Sequence, residues 1–122
     1  MIEQHLHAWQ ELRDQLQAFL ALFAQPLTQL DPLFSQLELL QRAQASLPPT
    51  PEELHPDAQA ETVNAVRDLA EESLQLNRRI QEQLIQHMHS WEQDGRLDER
   101  RRRTLEAYTY QTALPRFIDR HS

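Results

Sequence analysis

Prolines divide this chain of 122 residues, because a proline inside a helix removes an amide donor and clashes with the preceding turn. The chain has one glycine, Gly95, and seven prolines: Pro26, Pro32, Pro48, Pro49, Pro51, Pro56 and Pro115. The three prolines of residues 47–51 cannot continue a helix, so this segment is predicted to be the main linker. Helices are expected to begin and end at or near these positions.

Between the prolines, apolar residues recur every three or four positions, which is the period of one face of an α-helix. A second helix is signalled by Asp31 and Pro32, since aspartate caps free amides and proline suits the first helical turn. These patterns predict helices over about 2–24, 31–46 and 57–94.

Two polar residues, Ser73 and Asn77, interrupt the apolar stripe of the longest predicted helix. A buried amide such as that of Asn77 fixes the register of packed helices at some expense in stability. The alternative, which we prefer on the sequence, is an edge position that faces water.

The region after residue 94 contains the signals for a helix end and a new start. Gly95 suits a helix C-cap, because glycine adopts a positive φ without strain. Asp98 then suits the N-cap of a short helix over 96–108. A single helix with a soft break at Gly95 is the competing interpretation.

Together these elements predict an all-α fold, an elongated antiparallel bundle of three to four helices with an irregular C-terminal tail. Residues 1–95 would form the helical body, 96–108 the short C-terminal helix and 109–122 the tail. If the two long helices pair in opposite directions, Trp9 and Trp91 lie near the same end.

The charge of the chain is unevenly distributed. Residues 1–95 carry five arginines and fifteen acidic residues, whereas residues 96–122 carry seven arginines and four acidic residues. An acidic body repels polyanions, so a nucleic-acid contact would be confined to the C-terminal segment with its run Arg100 to Arg103. Because Asp98, Glu99 and Glu106 dilute that run, no nucleic-acid partner is predicted.

The residue types that catalysis and metal binding need are scarce or badly spaced. The chain has no cysteine, and one glycine is too few for a phosphate-cradling loop. His5 and His7 are two positions apart, as are His87 and His89, so neither pair points toward one metal on a helix. We therefore predict no enzyme activity, no catalytic residues, no cofactor and no metal.

The location is expected to be cytoplasmic. A chain without cysteine fits a reducing compartment. No segment approaches the ~20 consecutive apolar residues that a membrane span requires, so no membrane association is predicted.

Three features resemble the flagellar export chaperones of the FliT family. The first is the proline-rich hinge at 47–51 followed by a long helix. The others are Ala107 and Tyr108 at the end of the final helix, and the terminal sequence Phe117-Ile118-Asp119-Arg120. The chain departs from the family after Tyr108, where it has Thr109-Tyr110-Gln111 instead of glycine or serine.

The resemblance implies a chaperone that binds the C-terminal helical region of the filament cap protein FliD. It would prevent premature assembly and deliver FliD to the type III export gate, with components of the export apparatus as further partners and a monomer or weak homodimer as its state. A chaperone for hook-filament junction proteins and a homodimeric helical scaffold or regulatory protein are the alternatives.

Such a chaperone needs an apolar groove, and we expect the last helix to lie in or beside it until a client displaces it. The predicted partner-binding residues are Leu76, Ile80, Leu84, Met88, Trp91, Leu97, Leu105, Tyr108, Phe117 and Ile118.

Overall fold

The computed structural model describes residues 2–25, 27–47 and 60–109, and over these ranges the chain is helical with no strand. Helix α1 is Ile2–Ala21 and continues into a 3-10 turn at Leu22–Ala24, α2 is Asp31–Ala45, α3 is Ala60–Gln93 and α4 is Glu99–Thr109. The predicted all-α bundle is confirmed.

The helix limits lie close to the predicted ones. The first helix ends as a 3-10 turn at Ala24, and α2 ends one residue before the predicted limit. The short C-terminal helix begins at Glu99 instead of residue 96 and includes Thr109. The proposed linker, the predicted start of the third helix at 57–59 and the tail beyond Thr109 lie outside the described residues.

Helix α3 ends in a Schellman motif centred on Gly95. The φ of Gly95 is +71°, in the left-handed region that glycine adopts without strain. Its N–H donates to the Glu92 carbonyl at 3.1 Å, and the Arg96 N–H donates to the Trp91 carbonyl at 2.9 Å. These two bonds satisfy carbonyls that a helix end otherwise leaves free. The predicted C-cap is confirmed, and the turn separates α3 from α4.

The two predicted aspartate caps differ in outcome. Asp98 does cap α4, since its Oδ1 accepts the backbone N–H of Arg101 at 2.7 Å. At α2 the N-cap residue is Leu30, and no side chain caps the helix there. The prediction for Asp31 is therefore wrong, because its carboxylate instead accepts a hydrogen bond from the Arg101 guanidinium of α4. Pro32 lies in the first turn, as expected.

Side-chain contacts fix the direction of the two long helices. Arg13 approaches Glu72 to 4.0 Å, and Phe23 stacks on His87 with 5.5 Å between ring centroids. Higher residue numbers in α1 therefore meet higher numbers in α3, so the two helices run in the same direction. Trp91 stacks on His87 in turn, at the end of α1 remote from Trp9. The prediction that the tryptophans share one end is wrong.

Helices α2 and α4 run opposite to α1 and α3, so the chain follows an up-down-up-down path. A shallow groove of about 250 Å³ lies between the first half of α1 and the last half of α2, with Ala8 and Ala43 among its lining residues. Gln44 at the end of α2 meets Asn77 of α3, whereas Arg96 reaches back to Leu27 before α2. The antiparallel relation therefore holds between helices that are consecutive in the sequence.

The core is built from the apolar stripes of all four helices. Burying a leucine, isoleucine or phenylalanine side chain stabilises the fold by about 1.5–3 kcal/mol, so these stripes hold the bundle together. Among the hydrophobic side chains of the described residues, eleven are at most 2% exposed: Leu12, Leu16, Phe19, Leu33, Leu37, Leu40, Val66, Ile80, Leu84, Leu105 and Tyr108.

Replacing Gly95 with alanine should lower the free energy of unfolding by about 1–2 kcal/mol, the strain of an L-residue in the left-handed region. A Cβ at this position meets no atom within 4 Å, so the loss reports backbone conformation alone. Urea unfolding measures it. Gly95→Asn is the matched control, because asparagine tolerates this conformation and should lose less. Equal losses for the two variants would contradict the explanation.

Candidate partner-binding site

Helix α4 rests on α2 and α3, and we call the surface that receives it the α4 seat. The seat is defined by the residues of α2 and α3 whose side chains bond or stack with α4: Asp31, Phe34, Gln44, Asn77 and Gln81. It is formed by helices that are separated by the proline-rich segment in the sequence.

Helix α4 has little apolar surface with which to hold this position. Only Leu105, Tyr108 and Thr109 are buried, and the remaining residues are mainly arginine, glutamate and threonine. Two large buried side chains contribute about 1.5–3 kcal/mol each before the entropy of ordering is subtracted. Compared with α1, α2 and α3, whose long stripes fill the core, α4 is held by few apolar contacts.

A buried polar cluster anchors the end of α4. The Tyr108 hydroxyl donates a hydrogen bond to Asn77 Oδ1. Gln44 Nε2 donates to the Tyr108 hydroxyl at 3.3 Å and lies 3.4 Å from Asn77 Oδ1. Asn77 is 1% exposed and Gln44 6% exposed. Three helices thus meet through one small hydrogen-bonded group.

This cluster corrects the preferred interpretation of Asn77. Neither Asn77 nor Ser73, one turn earlier, faces water; both are buried. The alternative interpretation, a buried amide that pairs helices, is the one that the structure confirms. An edge position is ruled out because α2 and α4 cover Asn77. The sequence pattern of α3 does not show which other helices pack against it.

Some polar atoms of the stripe remain without a hydrogen bond. Asn77 Nδ2 and Ser73 Oγ are buried and find no partner in the described part of the chain. A buried polar atom without a partner destabilises the fold by about 1–3 kcal/mol. This region of α3 therefore buries polar atoms whose hydrogen bonds the packing does not satisfy.

The N-terminal half of α4 is held by Arg101. Its guanidinium pairs with the Asp31 carboxylate and lies 4.9 Å from the centroid of the Phe34 ring, at cation-π distance. Because Asp31 is mostly exposed, this ion pair contributes at most about 1 kcal/mol. At the other end, Gln81 Nε2 donates to the Tyr108 carbonyl at 3.0 Å.

The arginine run is largely engaged by carboxylates of the same chain. Besides Arg101, Arg102 lies 3.7 Å from Glu106, and Arg103 lies 2.7 Å from Glu99. Arg100 is exposed and borders a cleft of about 420 Å³ between α2 and α4. The run therefore presents less free positive charge than its sequence suggests.

Most of the predicted partner-binding residues lie inside the bundle. The buried ones are Ile80, Leu84, Trp91, Leu105 and Tyr108, and those partly buried against the core are Leu76, Met88 and Leu97. Phe117 and Ile118 lie outside the described residues. The structure brings Tyr108 to the seat, beside residues that we did not predict there: Asp31, Phe34, Gln44 and Gln81. Gln44 had a signal, since it continues the stripe Leu33, Leu37, Leu40 at the next helical step.

The shallow groove between α1 and α2 lies away from α4, and its lining mixes apolar residues such as Ala8, Leu39 and Ala43 with polar ones. Leu39 and Ile85 are the only large apolar side chains classed as exposed within the described ranges, at 48% and 53%, and they belong to different helices. In the structure, α4 itself occupies the seat on α2 and α3.

Leu105→Ala should loosen α4 without unfolding the bundle. A buried leucine replaced by alanine loses about 2–5 kcal/mol, and α4 has few other apolar contacts. Hydrogen exchange of the α4 amides should accelerate by roughly tenfold or more, with the α1 amides unchanged. Leu16→Ala is the matched control and should accelerate exchange throughout. Uniform acceleration in Leu105→Ala would show that α4 does not open separately.

Burial raises the pKa of the Tyr108 hydroxyl well above its ordinary value of 10.0, against a smaller opposite effect of the Gln44 hydrogen bond. The neutral phenol is thus the form that the fold favours. Its contribution is fully present below pH about 10 and is lost as the pH rises toward the folded-state pKa.

Stability measured by urea unfolding between pH 8 and 11 should therefore fall more steeply in the natural chain than in Tyr108→Phe. One proton contributes a slope of about 1.4 kcal/mol per pH unit. Tyr110 is present in both chains, so it does not contribute to the difference between their pH profiles. Parallel pH profiles would show that Tyr108 is not buried as described.

Within the described residues, no helix is both long and apolar enough to cross a bilayer, and no group of three or more His, Asp or Glu side chains is placed to hold a metal ion. Comparison of the chain with protein-family models, curated proteins and solved structures gives no match.

Proposed function

We propose that this protein is a cytoplasmic flagellar export chaperone that binds the C-terminal helical region of the filament cap protein FliD in the α4 seat. Binding would keep FliD from assembling prematurely and allow its delivery to the export gate. The observation that carries the proposal is that a short, mostly polar helix of the chain itself occupies a seat between two longer helices.

The seat suits a helical client for physical reasons. Partner helices are commonly recognised when their apolar face enters a groove between helices of the receptor. Helix α4 shows that the seat accepts a helix, and its few apolar contacts make it a weak competitor. A client with a fuller apolar stripe would bury more surface and displace it without any nucleotide chemistry.

The resemblance to the FliT family supports the choice of client. Ala107 and Tyr108, which carry part of that resemblance, fall at the end of α4, and Tyr108 is the residue that locks α4 to the seat. A motif residue at the point of contact supports a role for the seat in binding. The hook-filament junction proteins are the alternative clients for the same seat.

A nucleic-acid regulator and a homodimeric scaffold have less support than a chaperone. The regulator would need the arginine run, of which Arg101, Arg102 and Arg103 pair with carboxylates of the chain. The scaffold would need a continuous exposed stripe, and the exposed Leu39 and Ile85 belong to different helices.

The test is a titration of the full chain with a FliD C-terminal peptide, compared between the natural protein and Leu105→Ala. When a helix of the chain competes for the site, the apparent affinity falls by the fraction of molecules that are open. Leu105→Ala should loosen α4 by about 2–5 kcal/mol, and because each 1.4 kcal/mol corresponds to about tenfold in affinity, binding should tighten by about tenfold or more.

Leu39→Ala, the same substitution at an exposed leucine outside the seat, is the control and should leave the affinity unchanged. Weaker binding by Leu105→Ala would mean that α4 contacts the client directly. A hook-filament junction peptide that binds while the FliD peptide does not would transfer the assignment to the alternative client.

A further inference from the structure

We infer that Asn77 and Gln44 make the α4 seat selective for a partner helix with a tyrosine three residues after a leucine. The inference rests on the proposed function and names the recognition element of the client. Helix α4 carries this pair as Leu105 and Tyr108, and it is the helix that occupies the seat in the structure.

The spacing follows from helix geometry. Residues three apart lie on one face of a helix, so a single face presents the leucine and the tyrosine together. Leu105 is fully buried, while the Tyr108 ring is buried with its hydroxyl on Asn77 and Gln44. Two side chains on one helix face, Leu105 and Tyr108, thus occupy the apolar part and the polar part of the seat.

A helix with an apolar residue in the place of Tyr108 would bind the seat less well, because the side chains around that position, Asn77 and Gln44, are polar. Phenylalanine in the place of Tyr108 would leave Asn77 Oδ1 with only the long 3.4 Å contact from Gln44 Nε2, and would leave Gln44 without one of its acceptors. Asn77 Nδ2 and Ser73 Oγ already lack partners there, and a phenylalanine ring offers neither of them a hydrogen-bond acceptor in the place of the hydroxyl. A buried polar group left unpaired weakens binding roughly 5- to 150-fold. Sites built to hydrogen-bond a hydroxyl discriminate strongly against analogues that lack it.

Tyrosine fits better than other polar residues. A serine or threonine hydroxyl stays close to its own helix, whereas the phenol carries its hydroxyl across the interface. A carboxylate or ammonium group would have to enter as a buried charge, which is strongly unfavourable without a counter-ion. The cluster of Asn77 and Gln44 offers none, since both side chains are neutral amides. A neutral donor at the end of a long rigid side chain is therefore the matching chemistry.

The first test stays within the full chain and couples positions 77 and 108. Tyr108→Phe should accelerate exchange of the α4 amides roughly 5- to 150-fold when Asn77 is present. In an Asn77→Leu chain the same substitution should have little effect or slow the exchange. An equal effect in both backgrounds would overturn the inference. If Asn77→Leu fails to fold, as judged by exchange of the α1 amides, Gln44→Leu serves as the second background.

The second test uses synthetic copies of residues 97–109 as the occupant, one natural and one with phenylalanine at position 108. Each is titrated by fluorescence anisotropy into full-length Leu105→Ala, in which the resident helix is loosened. The tyrosine peptide should bind at least roughly fivefold tighter, and the preference should vanish in the Asn77→Leu background. Equal affinities would overturn the inference. If neither peptide binds, the exchange cycle decides.

Failure of the inference and failure of the proposed function are distinguishable. A FliD peptide that does not bind refutes the proposed client and leaves the coupling of Asn77 with Tyr108 intact. A FliD peptide that binds, together with equal tyrosine and phenylalanine peptides, refutes the selectivity alone. If light scattering of Leu105→Ala gives a mass of twice 14.4 kDa, the occupant of the seat is the α4 of a second copy. That result would overturn the assignment of the seat to a helix of another protein.

Discussion

The hydrogen bond from the Tyr108 hydroxyl to Asn77 joins the shortest helix of the bundle to the longest. Gln44 completes the group from α2, so one cluster fixes the mutual position of three helices. A buried amide needs hydrogen-bond partners, and the Tyr108 hydroxyl is the partner that α4 supplies. Docking of α4 therefore brings the hydroxyl that bonds both Asn77 Oδ1 and Gln44 Nε2.

This arrangement lets a helix with little apolar surface keep a defined place. Leu105 and Tyr108 provide the burial, and the contacts around Arg101 and Gln81 orient the helix. Most of those contacts are at the surface, where water and salt compete with them. The position of α4 is thus defined by a few particular contacts and not by a large apolar surface, as the proposed displacement by a client would require.

Local signals were sufficient to predict the helices and two of their ends. Gly95 and Asp98 act within a turn of their own positions, so their roles follow from the adjacent sequence. Asp31 has an equally good local signal, but Arg101, seventy residues away, takes its carboxylate. Local chemistry predicts a role reliably only where no distant partner competes.

The site was predictable in part. Leu105 and Tyr108 were predicted to bind a partner, which stays a prediction; in the structure they pack inside the chain as parts of α4. The burial of Asn77 could not be inferred from α3 alone, because the helices that cover it are distant in sequence. The common direction of α1 and α3 escaped prediction for the same reason: periodicity gives the face of a helix but not the direction of its neighbour.

The turn at Gly95 also limits how far α4 can travel. Arg96 donates to the Leu27 carbonyl at 2.6 Å, which fastens the turn to the loop between α1 and α2. An α4 of 11 residues spans about 16 Å, so a detached α4 remains close to its seat at an effective concentration of the order of millimolar. In the proposed mechanism this tethered competitor would recapture the seat whenever a client dissociates, and the chaperone would reset itself with no external energy source.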